Sequence, residues 1–294
     1  MSLERILFYL TGAFVLACVG VAMLLVGPPE PESQVAAPPP AAVAAAPEQT
    51  PATAEQPIKN PEAAPPTPAP VAAAKAGPQQ RLDAMVAAAP EYDLFFKRLR
   101  ENFPAEHAAT LDELNAPSGD RETIDQLVSE AVRNLRRARG VEAAHAEPAA
   151  LAKVFEAQAA VLRAIAERDA KLCVAFLYGG ADLGDFSRFA ATRRSLVADM
   201  ALAGLDAIVN GKAKQVERAK PTDDDFKTLE AALAARGLGP EMIGALLDGR
   251  MPDPPPEDQR MCAAGQTYLD TLKALPAEPR QRIYGLAIEL MARS

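Results

Sequence analysis

Apolar residues recur at helical spacing through most of the chain after residue 79, whereas alternation at every second position is nearly absent. Tyr92, Phe95, Phe96 and Leu99 fall on one face of a helix that begins at Pro90, with charged residues on the opposite face. Spacings of three and four residues place side chains on the same side of a helix. The pattern therefore predicts an all-α domain.

Breaks in this periodicity divide the domain into nine to ten helices. Most breaks coincide with proline, which lacks the N–H that a helix interior needs, or with glycine, which favours helix ends. Thr222 and Asp225 predict a capping box, in which each side chain bonds the backbone N–H of the other. The predicted helices span about 90–103, 104–115, 120–140, 148–179, 185–210, 222–237, 240–248, 257–275 and 277–292.

The stretch between two of these helices, near residues 141–147, leaves the domain organisation open. Residues 79–294 form either one helical unit or a smaller unit, 79–140, packed on a larger one, 148–294.

Residues 6–27 carry no charged side chain. As a helix they are roughly 33 Å long, enough to cross the hydrocarbon core of a membrane. Arg5 precedes this segment, and Glu30 and Glu32 follow it, which favours a cytoplasmic end at residues 1–5 and export of the rest. We expect an uncut, single-pass transmembrane anchor in a bacterial inner membrane, with the helical domain in the periplasm.

Two other fates of this segment stay open. Val15 to Cys18 resembles a lipobox, so that cleavage would leave Cys18 as a lipidated N-terminus, and small residues before Ala22 would suit ordinary signal peptidase. The apolar run continues to Val26, which favours the uncut helix. All three fates place the domain outside the cytoplasm.

Small residues within the segment offer a site for self-association. Ala13, Ala17 and Gly20 lie on one side of the predicted anchor, where small side chains let two helices approach closely in lipid. Small residues are also common in membrane helices without such a role.

Residues 28–78 form a stretch rich in proline and alanine, which holds 15 of the chain's 27 prolines and no aromatic residue. Such a stretch buries too little apolar surface to offset the entropy of ordering. We expect a disordered tether with polyproline II character, reaching between roughly 40 Å as a coil and about 160 Å fully extended.

The charge of the chain bears on which partners the domain binds, and its cysteines bear on how the domain is stabilised. The chain has a net charge of −8, of which the domain carries −5, and this acidity argues against binding to nucleic acid. In an oxidising compartment, Cys173 and Cys262 are expected to form a disulfide. The bond would close a loop of about 90 residues and stabilise the domain by about 4 kcal/mol. The alternative is two separate buried thiols.

Two clusters are candidates for a partner surface. The aromatic residues Tyr92, Phe95 and Phe96 either fill a groove on a partner or form part of the core. Arg133, Arg136 and Arg137 either contact an anionic partner or complement the dipole at a helix C-terminus.

The sequence offers few groups for catalysis or metal binding, and we expect no cofactor and no metal. The two histidines, His107 and His145, have no companion at metal-ligand spacing and are expected at the surface. The acidic run Asp223–Asp225 either binds a divalent cation or caps a helix. An enzyme site would have to combine residues near the glycine-rich turn, namely Tyr178, Asp182, Asp185, Arg193 and Arg194.

These observations favour a non-enzymatic domain that binds another envelope protein. The layout of anchor, Ala/Pro-rich tether and helical domain also resembles the membrane-anchored lipase foldases, and the resemblance implies a chaperone-like function. It is a resemblance of layout, and no residue is carried over from it. An envelope hydrolase is the third hypothesis.

Overall fold

The computed structural model describes residues 77–116, 123–179 and 184–293. Within these ranges the chain forms twelve α-helices, one 3₁₀ turn and no β-strand, which confirms the all-α prediction. None of these helices has both the length and the apolar character that crossing a membrane requires. The predicted anchor, with Cys18, Ala13, Ala17 and Gly20, and the tether up to residue 76 lie outside the described residues.

The helices are numbered in chain order, and the 3₁₀ turn Pro90–Tyr92 lies between the first two. They are α1 (Pro78–Ala88), α2 (Asp93–Asn102), α3 (Pro104–Asn115), α4 (Ile124–Ala143), α5 (Pro148–Ala166), α6 (Ala170–Gly179), α7 (Gly184–Thr192), α8 (Arg194–Lys214), α9 (Asp223–Ala235), α10 (Pro240–Asp248), α11 (Asp258–Ala274) and α12 (Ala277–Arg293).

The long helix α8 lies at the centre of the packing. It packs along α4 on one side and α5 on another, while α12 packs against α4 and α11 packs against α5 and α6. Buried side chains of the early helices, such as Leu99 and Leu127, join those of the later helices, such as Leu205 and Ile283, in one apolar cluster. The residues on both sides of 141–147 thus contribute to a common core.

The structure has more helices than the nine to ten predicted, because two long helices are divided and one was missed. The span 148–179 breaks at Asp169, whose carboxylate accepts a hydrogen bond from the backbone N–H of Leu172 at 2.8 Å and begins α6. The span 185–210 breaks at Arg193, which leaves helical geometry with φ −139° and ψ 38°. The missed helix is α1, whose weak apolar face buries only Leu82.

The start of α4 also differs from the prediction. The cap is Thr123, whose hydroxyl accepts from the backbone N–H of Gln126 while the Gln126 side chain accepts from the backbone N–H of Thr123. The sequence predicts that this helix begins at residue 120, with Asp120 as its cap, but Asp120 lies outside the described residues. The capping box predicted from Thr222 and Asp225 is confirmed at the start of α9.

The predicted helices 120–140 and 185–210 end at Gly140 and next to Gly211, but both glycines lie inside helices instead. A Cβ on Gly140 would lie 2.7 Å from the Cβ of Ala292, and a Cβ on Gly211 would lie 1.9 Å from the carbonyl oxygen of Glu142. The absence of a side chain at these positions lets α4 approach α12 and α8 closely. Both helices therefore continue past their glycines, α4 to Ala143 and α8 to Lys214.

Candidate functional site

The predicted cysteine pair lies between α6 and α11. Cys173 and Cys262 form a disulfide in the structure, with Cα atoms 5.6 Å apart, and both side chains are buried. One turn further along both helices, a Cβ on Gly265 would lie 2.3 Å from a methyl group of Leu177. The bond therefore joins two helices that already pack closely.

The aromatic cluster lies in the core. Tyr92, Phe95 and Phe96 are all 5% exposed or less, so their side chains offer no surface to a partner. The Tyr92 hydroxyl donates a 2.8 Å hydrogen bond to the buried carboxylate of Asp125. The burial of this cluster supports the hypothesis that it belongs to the hydrophobic core and not to a partner surface.

Asp125 connects the 3₁₀ turn to the starts of α4 and α8. Arg194 donates to it from Nε at 3.1 Å and from Nη2 at 3.0 Å. Burial, together with the hydrogen bond to Asp125, raises the pKa of Tyr92 far above its usual range. The phenol thus stays a neutral donor. Arg194 compensates the charge of Asp125, whose buried carboxylate would be costly without a partner.

The arginine cluster on α4 is divided among three environments. Arg133 pairs with Glu130 one turn earlier, and Arg137 is exposed to solvent. Arg136 lies between them, half-buried, and lines a cleft described below.

The candidates for an enzyme site do not meet within the described part of the chain. Asp185 is exposed and pairs with Arg188, while Arg194 pairs with Asp125 and Arg193 is exposed. Tyr178 lines the cleft, and its hydroxyl lies 3.9 Å from the sulfur of Met261. Asp182 lies outside the described residues.

The acidic run at the start of α9 is a helix cap reinforced by a salt bridge. Arg282 of α12 binds Asp225 through two parallel hydrogen bonds, from Nε at 2.8 Å and from Nη2 at 2.7 Å. These bonds and those from Thr222 lower the pKa of Asp225 to about 2. Within the described ranges, no three His, Cys, Asp or Glu residues are grouped so that they would hold a metal ion.

The two histidines lie in different environments. His107 is buried in the structure, where the prediction placed it at the surface, and burial lowers its pKa. The apolar face of α3 is short and includes Thr110, so its direction was not visible in the sequence. His145 is exposed as predicted.

An apolar cleft of about 350 Å³ opens among the helices of the described domain. Its floor reaches the core at Leu135, Leu205 and Phe186, each 2% exposed or less. Its upper walls are half-buried side chains of α4, α6, α8, α10 and α12, and they include Val132, Leu177, Met200, Leu246 and Leu286.

Few polar side chains line the cleft. Arg136 is the single charged side chain among the described lining residues, and Ser129, Gln158, Tyr178 and Tyr268 are the other polar ones. Burial raises the pKa of Tyr268 to about 12 and also raises that of Tyr178, so both phenols are neutral at physiological pH. The cleft therefore presents an apolar interior, neutral hydrogen-bonding groups and one cation.

Sequence reasoning did not find this cleft. Its lining comes from many helices, and residues such as Val132 and Leu286 follow the same apolar periodicity as core residues. One signal was present at Gly204 of α8, because a glycine in the middle of a helix lowers stability and often has a packing or functional reason.

No family model, no curated protein and no solved structure matches the chain.

Proposed function

We propose that this chain is a membrane-tethered binding module of the bacterial envelope, whose periplasmic helical domain engages another envelope protein and catalyses no reaction. The observation that carries the proposal is the open apolar cleft beside the buried apolar core. A concave apolar surface with a few placed polar groups is typical of binding sites.

The layout of the chain supports the tethered arrangement. Helix α1 begins at Pro78, where the proline- and alanine-rich stretch ends. The predicted tether thus meets the folded domain directly, and its reach of roughly 40 to 160 Å would let the domain meet partners away from the membrane.

The partner surface is the rim of the cleft. Val132, Met200 and Leu286 are half-buried there, and the exposed Arg137 lies on α4, one residue after Arg136. Apolar residues surrounded by polar and charged side chains are typical of the central part of a protein interface.

Photo-crosslinking in cells tests this proposal. A photoreactive amino acid would replace Val132 or Leu286 at the rim in the full-length protein, and Lys153 or Lys227, which are exposed and do not line the cleft, in matched controls. We expect the two rim positions to give the same protein adduct, identified by mass spectrometry, and the controls to give none. Adducts equally frequent at all four positions, or at none, would contradict the proposal.

A foldase-like chaperone is the second candidate, because an apolar cleft also suits transient binding of an unfolded client. The same crosslinking distinguishes the two. A chaperone would give rim adducts with newly exported proteins that disappear when protein synthesis is stopped, whereas a stable partner would remain crosslinked.

A further inference from the structure

The depth of the cleft restricts what can fill it. Leu205 and Phe186 belong to the core and also line the cleft floor. One turn of an α-helix, about 10–12 Å wide with its side chains and about 5.4 Å long, needs more room than the cleft's volume of about 350 Å³, so a helix would rest on the rim. An extended peptide would bring unpaired backbone N–H and C=O groups into an apolar site, which is costly. A linear alkyl chain is narrow and has no such groups.

Gly204 marks the place where the cleft reaches the backbone of α8. A Cβ built on this residue would meet no atom within 4 Å, so the space beside it is open. Gly204 lines the cleft together with Ala201 and Met200 of the same helix. A Cβ at this position would thus meet no neighbour, and the further atoms of a larger side chain would take up space within the cleft.

Charge indicates the polar end of the ligand. Arg136 is the single charged side chain among the described lining residues, in a chain whose net charge is −8. Arg136 also interacts within the protein. A guanidinium has five N–H donors, so Arg136 has the capacity to bind an acidic group in addition to its interaction within the protein.

We propose that the cleft binds a single long alkyl chain that ends in an acidic group, a fatty carboxylate from the neighbouring membrane. The alkyl chain occupies the apolar interior along Gly204, and the carboxylate pairs with Arg136. This proposal rests on two parts of the proposed function. The first is that the cleft is a binding site, and the second is that the tether holds the domain near a membrane. The protein partner contacts the rim and does not fill the interior.

The test uses the full-length protein in isolated membranes. The probe is a hexadecanoate analogue that carries a photoreactive diazirine in its chain, and an alkyltrimethylammonium analogue of the same length serves as the cationic control. Mass spectrometry maps the labelled peptides. We expect the carboxylate probe to label peptides of α4, α8 and α12, and unlabelled hexadecanoate to compete. Labelling of residues 6–27 measures insertion of the probe into the bilayer.

Two pairs of variants make the test specific. Gly204→Leu should reduce labelling of the cleft peptides by roughly tenfold or more, equivalent to 1.4 kcal/mol. Gly244→Leu, at a glycine of α10 with equally open surroundings that does not line the cleft, should leave labelling unchanged. Arg136→Gln should remove the preference for the carboxylate over the cationic probe, and Arg136→Lys should keep it.

Three results would overturn the inference. The first is that the cleft peptides are labelled no more than exposed peptides. The second is that Gly204→Leu does not change the labelling. The third is that a photoreactive residue at position 204 gives a protein adduct while the alkyl probe gives none. The last result would mean that a partner's side chains fill the cleft, and would leave the proposed function intact. Loss of the rim adducts together with normal alkyl labelling would instead contradict the proposed function alone.

Discussion

At the scale of single residues, the domain places its buried charges in pairs that connect distant segments. Asp125 joins Tyr92 to Arg194, and Asp225 joins the cap of α9 to Arg282. Removing one member of such a pair leaves a buried charge uncompensated, which costs more than the intact pair contributes. These residues connect helices that surround the cleft, and the loss of either partner would destabilise that arrangement.

The pair of Asp225 and Arg282 leads to a prediction on acid stability. The folded-state pKa of Asp225 is about 2, below its ordinary value of 3.8. Its contribution is therefore complete above about pH 4 and is lost as the pH falls towards 2, because the unfolded chain takes up the proton first. We expect Asp225→Asn to lower the free energy of unfolding by roughly 2 kcal/mol at pH 7 and by much less at pH 2.5.

The measurement is urea unfolding followed by circular dichroism at both pH values. Asp224→Asn is the matched control, because Asp224 is exposed and pairs with Lys227, which is also exposed. The control should change stability little at either pH, since exposed ion pairs are weak. An equal loss for Asp225→Asn at both pH values would refute the assigned pKa.

At the scale of helices, two glycines of α8 have opposite roles. Gly211→Ala places a methyl group 1.9 Å from the carbonyl oxygen of Glu142, and we expect a loss of about 3 kcal/mol as α4 and α8 move apart. Gly204→Ala meets open space and should gain up to about 1 kcal/mol from better helix propensity. Thermal or urea unfolding of both variants checks the contrast, and similar changes in the two would contradict the packing described for α8.

The disulfide between α6 and α11 gives a second prediction at this scale. Replacing Cys173 and Cys262 together by alanine should lower stability by about 4 kcal/mol, because the bond closes a loop with a sequence separation of 89 residues. Reductant should destabilise the unmodified protein and leave the double variant unchanged. Alkylation of both thiols in cells without reductant would show that the bond does not form there.

Local sequence signals identified most helices. They did not identify features that depend on contacts between distant helices, such as close packing at a glycine and the cleft. The capping box of Thr222 and Asp225 is a local arrangement and was read correctly. The role of Gly140 depends on Ala292 in a distant helix, so its sequence position suggested a helix end. The break at Asp169 was hidden because the apolar stripe continues from Ile165 to Leu172 across it. The cleft was missed because its described lining comes from nine helices, α4 to α12.

At the scale of the whole molecule, the account depends on where the domain works. Under the proposed function, residues 77–293 lie in the periplasm, beyond the predicted anchor and tether, where an oxidising environment favours the disulfide and an envelope partner is within reach. A domain that remained in the cytoplasm would meet neither condition.

Protease accessibility in spheroplasts tests this central claim most directly. An antibody against an epitope tag at the C-terminus follows the full-length chain while protease is added to intact cells, spheroplasts and lysed cells. The account predicts that the tag is found in the membrane fraction before protease is added and that it survives protease in intact cells. In spheroplasts, whose outer membrane is opened, the protease cuts the tether and releases the tag. Protection in spheroplasts until the inner membrane is lysed would place the domain in the cytoplasm and contradict the account.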